Sequence, residues 1–110
     1  YRADMPVSHW DSVKGSFLLD VREPIELKQE SVPGALNIPL GQLRSRLSEL
    51  PRDREINVFC EVGQRSYYAT RILLQNGFKA KDVSGGMVAR EQFCMRDGNN
   101  ELCKKREVTN

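Results

Sequence analysis

The chain has 110 residues, of which 39% are hydrophobic and 29% are charged, and its formal net charge is only +2. This length and composition suit one compact domain with its own core. The small charge gives no support for nucleic-acid binding, which needs a concentrated basic surface. No apolar run approaches the roughly 20 residues that span a bilayer, and no signal peptide is visible. We therefore expect neither nucleic acid nor membrane among its partners.

Four short apolar runs predict strands of a buried sheet. In chain order they cover residues 16–20, 35–39, 55–60 and 80–86, and the last run ends at two glycines. Helical patterns lie between these runs. Strands that alternate with helices form right-handed βαβ units. The sequence therefore predicts an α/β fold with a parallel sheet.

Three segments before the last strand carry helical signals. Ser8 is placed to cap a short first helix through "HWDSV". In "GQLRSRLSELP" the leucines recur at helical spacing, and Pro51 ends the predicted helix. In "RSYYATRILLQNG" one face is apolar, and Gly77 stands where a left-handed C-terminal cap is expected.

The end of the chain differs from the rest in its pattern. It has a helical start, a turn signal in "DGNN" and a charged terminus. We divide the chain into a domain at residues 1–87 and a C-terminal extension at residues 88–110. The extension is expected to be partly helical, to add little to the core and to end in mobile residues. Because the first residue is Tyr1 and not methionine, we expect the sequence to be a domain cut from a longer chain or a trimmed form of one.

The three cysteines are Cys60, Cys94 and Cys103, and none belongs to a C-x-x-C pair. Their odd number argues against a disulfide framework and favours a reducing, cytoplasmic location. A tetrahedral zinc site needs four clustered ligands, and the chain holds a single histidine, His9. We therefore expect no metal site, and His9 is assigned a surface or capping role.

The stretch "FCEVGQRS" follows the third predicted strand. Cys60 closes that strand and so lies at the carboxyl edge of the sheet, where ligands bind in parallel α/β folds. Gly63 lets the loop turn its N–H groups inward, and a helix begins near Ser66. Such a loop binds anions and favours a thiolate, and Arg65 adds a fixed cation. The segment predicts an activated sulfur nucleophile, although a cysteine in this place is often only a small apolar residue.

Several segments together resemble one family. "CEVGQRS" resembles the active-site loop of rhodanese domains, which carry sulfur as a cysteine persulfide. "LLDVRE", "VPGALNIPL" and "GFKAKDVSGGM" resemble other rhodanese segments in the same order. The resemblance covers Val7 to Met87. The pattern C-x-V-G-x-R-x-Y followed by "ATRILLQNGF" is most similar to rhodanese domains fused behind flavoproteins of the CoA-disulfide reductase type.

The resemblance implies a three-layer α/β/α fold around a mostly parallel sheet of four to five strands. It implies that Cys60 attacks the outer sulfur of a donor, with Arg65 as the second catalytic residue. The remaining loop residues are assigned to substrate binding: Glu61, Val62, Gly63, Gln64 and Ser66. Four further residues are assigned structural support, Asp20 and Arg22 as a charge pair at the loop base and Gly85 and Gly86 for close backbone approach at the pocket wall.

The resemblance also implies the reaction partners. The donor is a persulfide, a polysulfide or thiosulfate, and the acceptor is a thiol or cyanide. No cofactor is expected in this domain, and FAD and coenzyme A would belong to a fused flavoprotein disulfide reductase. Cys94 and Cys103 are either bystanders or a relay for the sulfur atom.

Two other functions stay open. Cysteine-dependent phosphatases and arsenate reductases also combine a cysteine, an anion loop and an arginine. The loop here is C-x4-R, one residue shorter than the C-x5-R of the related dual-specificity phosphatases, and so favours a sulfur atom over a phosphoryl group. The second alternative is a catalytically silent rhodanese-fold module that binds a partner, which the presence of Cys60 disfavours.

Overall fold

The structure is a computed structural model that describes residues 5–104. Five strands form one parallel sheet in the order β1-β5-β4-β2-β3. The strands are β1 (Val7–Ser8), β2 (Phe17–Asp20), β3 (Leu36–Asn37), β4 (Ile56–Phe59) and β5 (Ala80–Val83). The α-helices are α1 (Pro24–Leu27), α2 (Gln64–Gln75) and α3 (Gly86–Arg96). Three 3-10 segments cover Trp10–Ser12, Leu40–Glu49 and Glu101–Cys103. The α/β class with a parallel central sheet is confirmed.

The central strand β4 is buried on both faces of the sheet. Ile56 and Val58 pack into an apolar cluster with Leu73 of α2. Phe59 packs into a second cluster on the opposite face, together with Trp10. A strand covered on both sides forms a continuous apolar run, as "INVF" nearly does. The sheet is therefore the middle of three layers, as expected.

Helix α2 follows its sequence pattern closely. Its buried residues include Ala69, Ile72 and Leu73, the apolar face predicted above. Gly77 has a left-handed φ of 83°, and its N–H donates to Leu74 O. The Phe78 N–H donates to Leu73 O, which completes a Schellman C-terminal cap. The predicted end of this helix is confirmed.

The helix predicted before Pro51 takes a different form. Leu40–Glu49 is 3-10 helical, and Arg46 has non-helical angles of φ −123° and ψ 20°. Ser45 Oγ donates to Gln42 O, a local side-chain bond that competes with regular helix geometry. Leu43 and Leu50 are nevertheless buried, so the apolar stripe still meets the core.

The prediction that Ser8 caps a helix is wrong. Ser8 lies in β1, in register with Val83 of β5, and its carbonyl oxygen accepts the N–H of Ser84. Only the 3-10 turn Trp10–Ser12 follows, without a side-chain cap. A two-residue strand is too short to show a period, and it forms here because the edge of β5 offers backbone partners.

The expectation that the end of the chain adds little to the core is wrong for the described part. Phe93 of α3 and Leu102 are buried in the second cluster, with Trp10 and Phe59. The buried guanidinium of Arg90 donates from Nε to Leu102 O at 2.7 Å, which fixes the turn against α3. The predicted mobile terminus lies at residues 105–110, outside the described residues. The division between residues 87 and 88 stays a prediction.

The expectation that no disulfide forms is also wrong. Cys94 and Cys103 are joined, with Cα atoms 5.5 Å apart. The turn at "DGNN" reverses the chain after α3, which brings the two side chains together. Their pairing excludes the relay by free thiols at these positions in this state. It also removes the cysteine count as support for a cytoplasmic location, which stays a prediction.

Within residues 5–104, no helix is long and apolar enough to cross a membrane. Over the same residues, no group of three or more histidine, cysteine or acidic side chains is arranged to hold a metal ion.

Candidate functional site

Cys60 lies directly after β4, at the carboxyl edge of the sheet. Its side chain is buried, and it is the free cysteine of the chain. The N–H groups of Gly63 and Ser66 donate to Cys60 Sγ at 3.1 and 3.3 Å. Gly63 has φ 114° and is the N-cap of α2, so the positive end of the helix dipole faces the sulfur. A negative charge that develops on this sulfur during a reaction would accept hydrogen bonds from both N–H groups.

The other side of the loop is bound to the start of α3. The N–H groups of Met87 and Val88 donate to the carbonyl oxygens of Cys60 and Glu61 at 2.9 and 3.1 Å. Gly86 lies directly against this part of the loop: a Cβ on Gly86 would stand 2.2 Å from Cys60 O. Only glycine fits there. At Gly86, therefore, the backbone of α3 approaches the backbone of the cysteine loop too closely for any side chain, as expected at the pocket wall.

Neighbouring residues fix Gly86 in this place. The Trp10 indole donates from Nε1 to Gly86 O at 2.7 Å, and the indole ring packs edge-on against Phe59. Gly85 has φ 74°, and a Cβ there would meet the Cβ of Ala89 at 2.6 Å. Trp10 thus links the first 3-10 turn, β4 and the wall of the site.

Asp20 and Arg22 form a buried charge pair at the loop base. Arg22 donates from Nε and Nη2 to the Asp20 carboxylate at distances from 2.9 to 3.2 Å, and from Nη2 to Glu30 O at 2.8 Å. Asp20 is in register with Phe59, so the pair lies beside the end of β4. Arg22 Nη1 also lies 3.4 Å from Glu61 Oε1. The pair thus contacts the residue that follows the nucleophile.

Arg65 is held by a partner that the sequence did not reveal. Its guanidinium makes two hydrogen bonds to the carboxylate of Glu26 in α1, at 2.7 and 2.8 Å. The hydrogen bond from Arg65 lowers the pKa of Glu26 from 4.5 to about 2. The charge of Arg65 is therefore largely balanced by Glu26. The two residues are 39 positions apart, which explains why no local pattern indicated their contact.

The loop side chains separate into an inner and an outer set. Ser66 is fully buried and lies beneath the sulfur. Val62 is 63% exposed, Gln64 is exposed and Glu61 is partly exposed. The structure thus places Gly63 and Ser66 around Cys60 Sγ, with Glu61 and Arg65 beside the loop. The assigned roles of all these residues stay predictions.

Asp82 is a candidate site residue that the sequence analysis missed. Ser66 Oγ donates to Asp82 Oδ1 at 2.7 Å, and it also lies 3.4 Å from Cys60 Sγ. Burial raises the pKa of Asp82 above 3.8, and the hydrogen bond from Ser66 only partly offsets this. One signal was present: Asp82 follows the buried Ala80 by two positions, so it shares the face of β5 that meets α2.

Comparison with known proteins identifies the family. The model of the rhodanese-like domain matches residues 7–92, most of the chain. The chain belongs to the rhodanese-like domain family. The chain is also similar to the "Sulfurtransferase" of Allochromatium vinosum, with 38% identity over 73 residues, or 66% of this chain and 68% of the relative.

Two solved structures relate this rhodanese domain to larger proteins. Bacillus anthracis CoADR-RHD, in its reduced form, has a TM-score of 0.77 at 40% identity, over 84% of this chain and 17% of that one. An NAD-dependent persulfide reductase from A. fulgidus has a TM-score of 0.68 at 40% identity, over 76% of this chain and 16% of that one. The predicted resemblance to rhodanese domains of CoA-disulfide reductases is confirmed. The chain spans about a sixth of these two proteins.

Proposed function

We propose that the chain is a sulfurtransferase that carries sulfane sulfur as a persulfide of Cys60. The proposal rests on the position of Cys60 Sγ, a free thiol at the sheet edge that receives two N–H donors at the start of α2. Membership of the rhodanese-like family and the name of the Allochromatium vinosum relative support the reaction class.

The proposed reaction has two displacement steps. Cys60 thiolate attacks the outer sulfur of a donor R–S–SH, the S–S bond of the donor breaks, and R–S⁻ leaves. A thiolate or cyanide then attacks the outer sulfur of the Cys60 persulfide, and Cys60 leaves as a thiolate. Each step forms one bond to sulfur and breaks one, so no external oxidant or reductant is needed. The N–H groups of Gly63 and Ser66 stabilise the anionic sulfur at the start and the end of the cycle.

The charges around the loop favour a donor of low charge. Three carboxylates, on Asp20, Glu26 and Glu61, stand against two guanidiniums, on Arg22 and Arg65. Thiosulfate is a dianion, and an unbalanced carboxylate about 5 Å from it costs on the order of 1 kcal/mol at a partly solvated site. A persulfide or polysulfide of a small thiol brings less charge. We therefore place such persulfides ahead of thiosulfate as donors.

Arg65 is proposed to steady the loop and the substrate. Its paired geometry with Glu26 supports a fixed guanidinium at the helix start, not a free cation that moves onto the donor. Such pairing also weakens the attraction that a phosphatase loop needs for a phosphoryl dianion. Together with the C-x4-R spacing, this disfavours the phosphatase and arsenate reductase alternative.

The proposed partner is a flavoprotein disulfide reductase, joined to this domain or acting beside it. The support is the similarity to CoADR-RHD and to the persulfide reductase, both much longer than this chain. In such a protein FAD and coenzyme A would belong to the reductase, and the rhodanese domain would supply or accept sulfur as a thiol persulfide. A cytoplasmic location fits this role.

The test is to load the chain with polysulfide and to measure its intact mass. We expect one added sulfur atom, mapped to Cys60, and release of thiocyanate when cyanide is added. Cys60→Ser should abolish both. Full cyanide-dependent turnover in Cys60→Ser would refute the assignment, and a loaded wild type that transfers nothing would support the silent module instead.

A further inference from the structure

The Ser66 hydroxyl touches more acceptors than it has hydrogen atoms. Asp82 Oδ1 lies at 2.7 Å, Gly63 O at 3.2 Å and Cys60 Sγ at 3.4 Å from Ser66 Oγ. A hydroxyl has one hydrogen to donate and two lone pairs to accept with. The shortest contact assigns the hydrogen to Asp82. A lone pair of Ser66 Oγ then faces the sulfur, where a thiol S–H can donate to it.

Within the described residues, Asp82 is the site carboxylate without an ion-pair partner. No ion pair joins it to any lysine, arginine or histidine within residues 5–104. Cys60 is the titratable group that reaches it through Ser66. The other charged or titratable groups on β5 and on the segments packed around it form no hydrogen bond or ion pair with its carboxylate. They are His9, Tyr67, Glu61 (paired with Arg22), Arg65 (paired with Glu26), Lys81 (paired with Glu55) and Arg90 (paired with Glu30).

This environment makes Asp82 a better proton acceptor than an ordinary aspartate. Burial raises its pKa above 3.8 because the charged form loses hydration. The hydrogen bond from Ser66 lowers the pKa of Asp82 and so offsets part of this rise. A neutral Asp82 would donate its own O–H to Ser66 Oγ, which frees the Ser66 hydrogen for Gly63 O or, once the sulfur is a thiolate, for Cys60 Sγ.

We propose that Asp82 is a positioning residue that acts through the Ser66 hydroxyl to take the proton of the Cys60 thiol when the thiolate forms. The inference rests on the proposed function, because it explains how the nucleophile of that reaction forms. The proton transfer itself takes place before any sulfur is bound to Cys60. Asp82 is linked to Cys60 through the Ser66 hydroxyl.

The transfer is balanced within three side chains. The S–H bond of Cys60 breaks, and its proton bonds to Ser66 Oγ. The original Ser66 O–H bond breaks, and that proton bonds to Asp82 Oδ1. The electron pair of the S–H bond stays on sulfur, so one negative charge moves from Asp82 to Cys60. The reverse transfer restores the thiol.

Because the proton moves from Cys60 to Asp82, the two side chains together carry one negative charge and never two. A buried thiolate beside an ionised Asp82 would be a like-charge pair, which is costly at low dielectric. When Asp82 carries the proton, Cys60 Sγ gains the Ser66 hydroxyl as a third donor, in addition to the two backbone N–H groups. The same arrangement stabilises Cys60 when it leaves from its persulfide.

The test measures alkylation of Cys60 by iodoacetamide from about pH 4 to about pH 9, the range in which carboxylates and thiols titrate. Non-reducing conditions keep Cys94 and Cys103 paired, and mass mapping confirms the modified residue. In the wild type we expect a two-step pH profile, because two coupled groups titrate as a pair. In Asp82→Asn the amide mimics the protonated carboxyl, and we expect a single step with its midpoint about one pH unit below the upper wild-type step.

The Ser66→Ala background provides the matched control. There we expect Asp82→Asn to shift the midpoint by less than half as much, since the hydroxyl that links the two groups is gone. A single-step wild-type profile, an unchanged or higher midpoint in Asp82→Asn, or a shift that persists in full without Ser66 would each overturn the proposal. Alkylation needs no sulfur donor, so these results stand even if Cys60 transfers no sulfur.

Discussion

Two aspartates flank the nucleophile strand at nearly the same height. Asp20 in β2 is in register with Phe59 of β4, and Asp82 in β5 is in register with Val58. Asp20 is matched by the buried guanidinium of Arg22, whereas Asp82 is held by a neutral hydroxyl. The two carboxylates therefore have different roles. The buried Asp20 is a fixed charge that organises the loop base, and the partly buried Asp82 is free to exchange a proton.

The largest expected effect is a change in the free energy of unfolding, and it should differ between substitutions of Asp20 and Asp82. Asp20→Asn removes the buried counter-charge of Arg22 and leaves it only the partly exposed carboxylate of Glu61. We expect a loss of about 3–5 kcal/mol in the free energy of unfolding. Asp82→Asn removes a carboxylate whose pKa is raised on folding. Such a group destabilises the fold above its folded pKa, and the penalty fades as the pH falls to 3.8. Asp82→Asn should therefore be at least as stable as the wild type at pH 7.

Urea denaturation of both variants at pH 7 and near pH 4 measures this difference. Equal losses in the two variants would show that Asp82, like Asp20, serves mainly as a structural anchor.

A smaller effect concerns the ion pair between Glu26 and Arg65. The pKa of Glu26 is lowered to about 2, so its contribution is complete above 4.5 and is lost as the pH falls toward 2. Gln at position 26 still offers an oxygen to the N–H of Glu23, which isolates the charge. We expect Glu26→Gln to lose about 1 kcal/mol at pH 7, since both partners are partly exposed. In urea titrations the loss should vanish near pH 2; a loss independent of pH would contradict the ion-pair explanation.

The smallest effect concerns donor choice. Glu61→Gln removes one of the three carboxylates at the loop, and we expect kcat/KM for thiosulfate to rise several-fold relative to that for glutathione persulfide. Glu49→Gln is the matched control, because Glu49 pairs with Arg46 on the 3-10 segment. If the ratio of kcat/KM for thiosulfate to kcat/KM for glutathione persulfide is the same in Glu61→Gln and Glu49→Gln, the charge of Glu61 does not set the preference.

Sequence patterns predicted the elements whose residues contact near neighbours or fill the core. The strand at "INVF" and the helix from Gln64 to Gln75 follow from runs of apolar side chains, and Gly77 marks the helix end. The position of Cys60 at the sheet edge follows from parallel topology. The family resemblance supplied the significance of the loop.

The contacts that depend on distant residues were not predictable. Arg65 and Glu26 are 39 residues apart, and Ser66 and Asp82 are 16 apart. Their side chains meet only after the sheet has placed α1 and β5 beside the loop. The pairing of Cys94 with Cys103 depends on a chain reversal whose angle the letters "DGNN" do not define. Packing geometry, not propensity, decided each of these cases.

The loop binds the sulfur of Cys60 with main-chain N–H groups, so the donor specificity of the site can change without loss of this contact. The N–H groups of Gly63 and Ser66 reach Cys60 Sγ whatever side chains stand between them. Val62 and Gln64 project from the same loop into solvent. Substitutions at these two positions can therefore alter which donor approaches while the sulfur-binding geometry stays intact. Gly86 has no such latitude, because any larger residue would displace Cys60 itself.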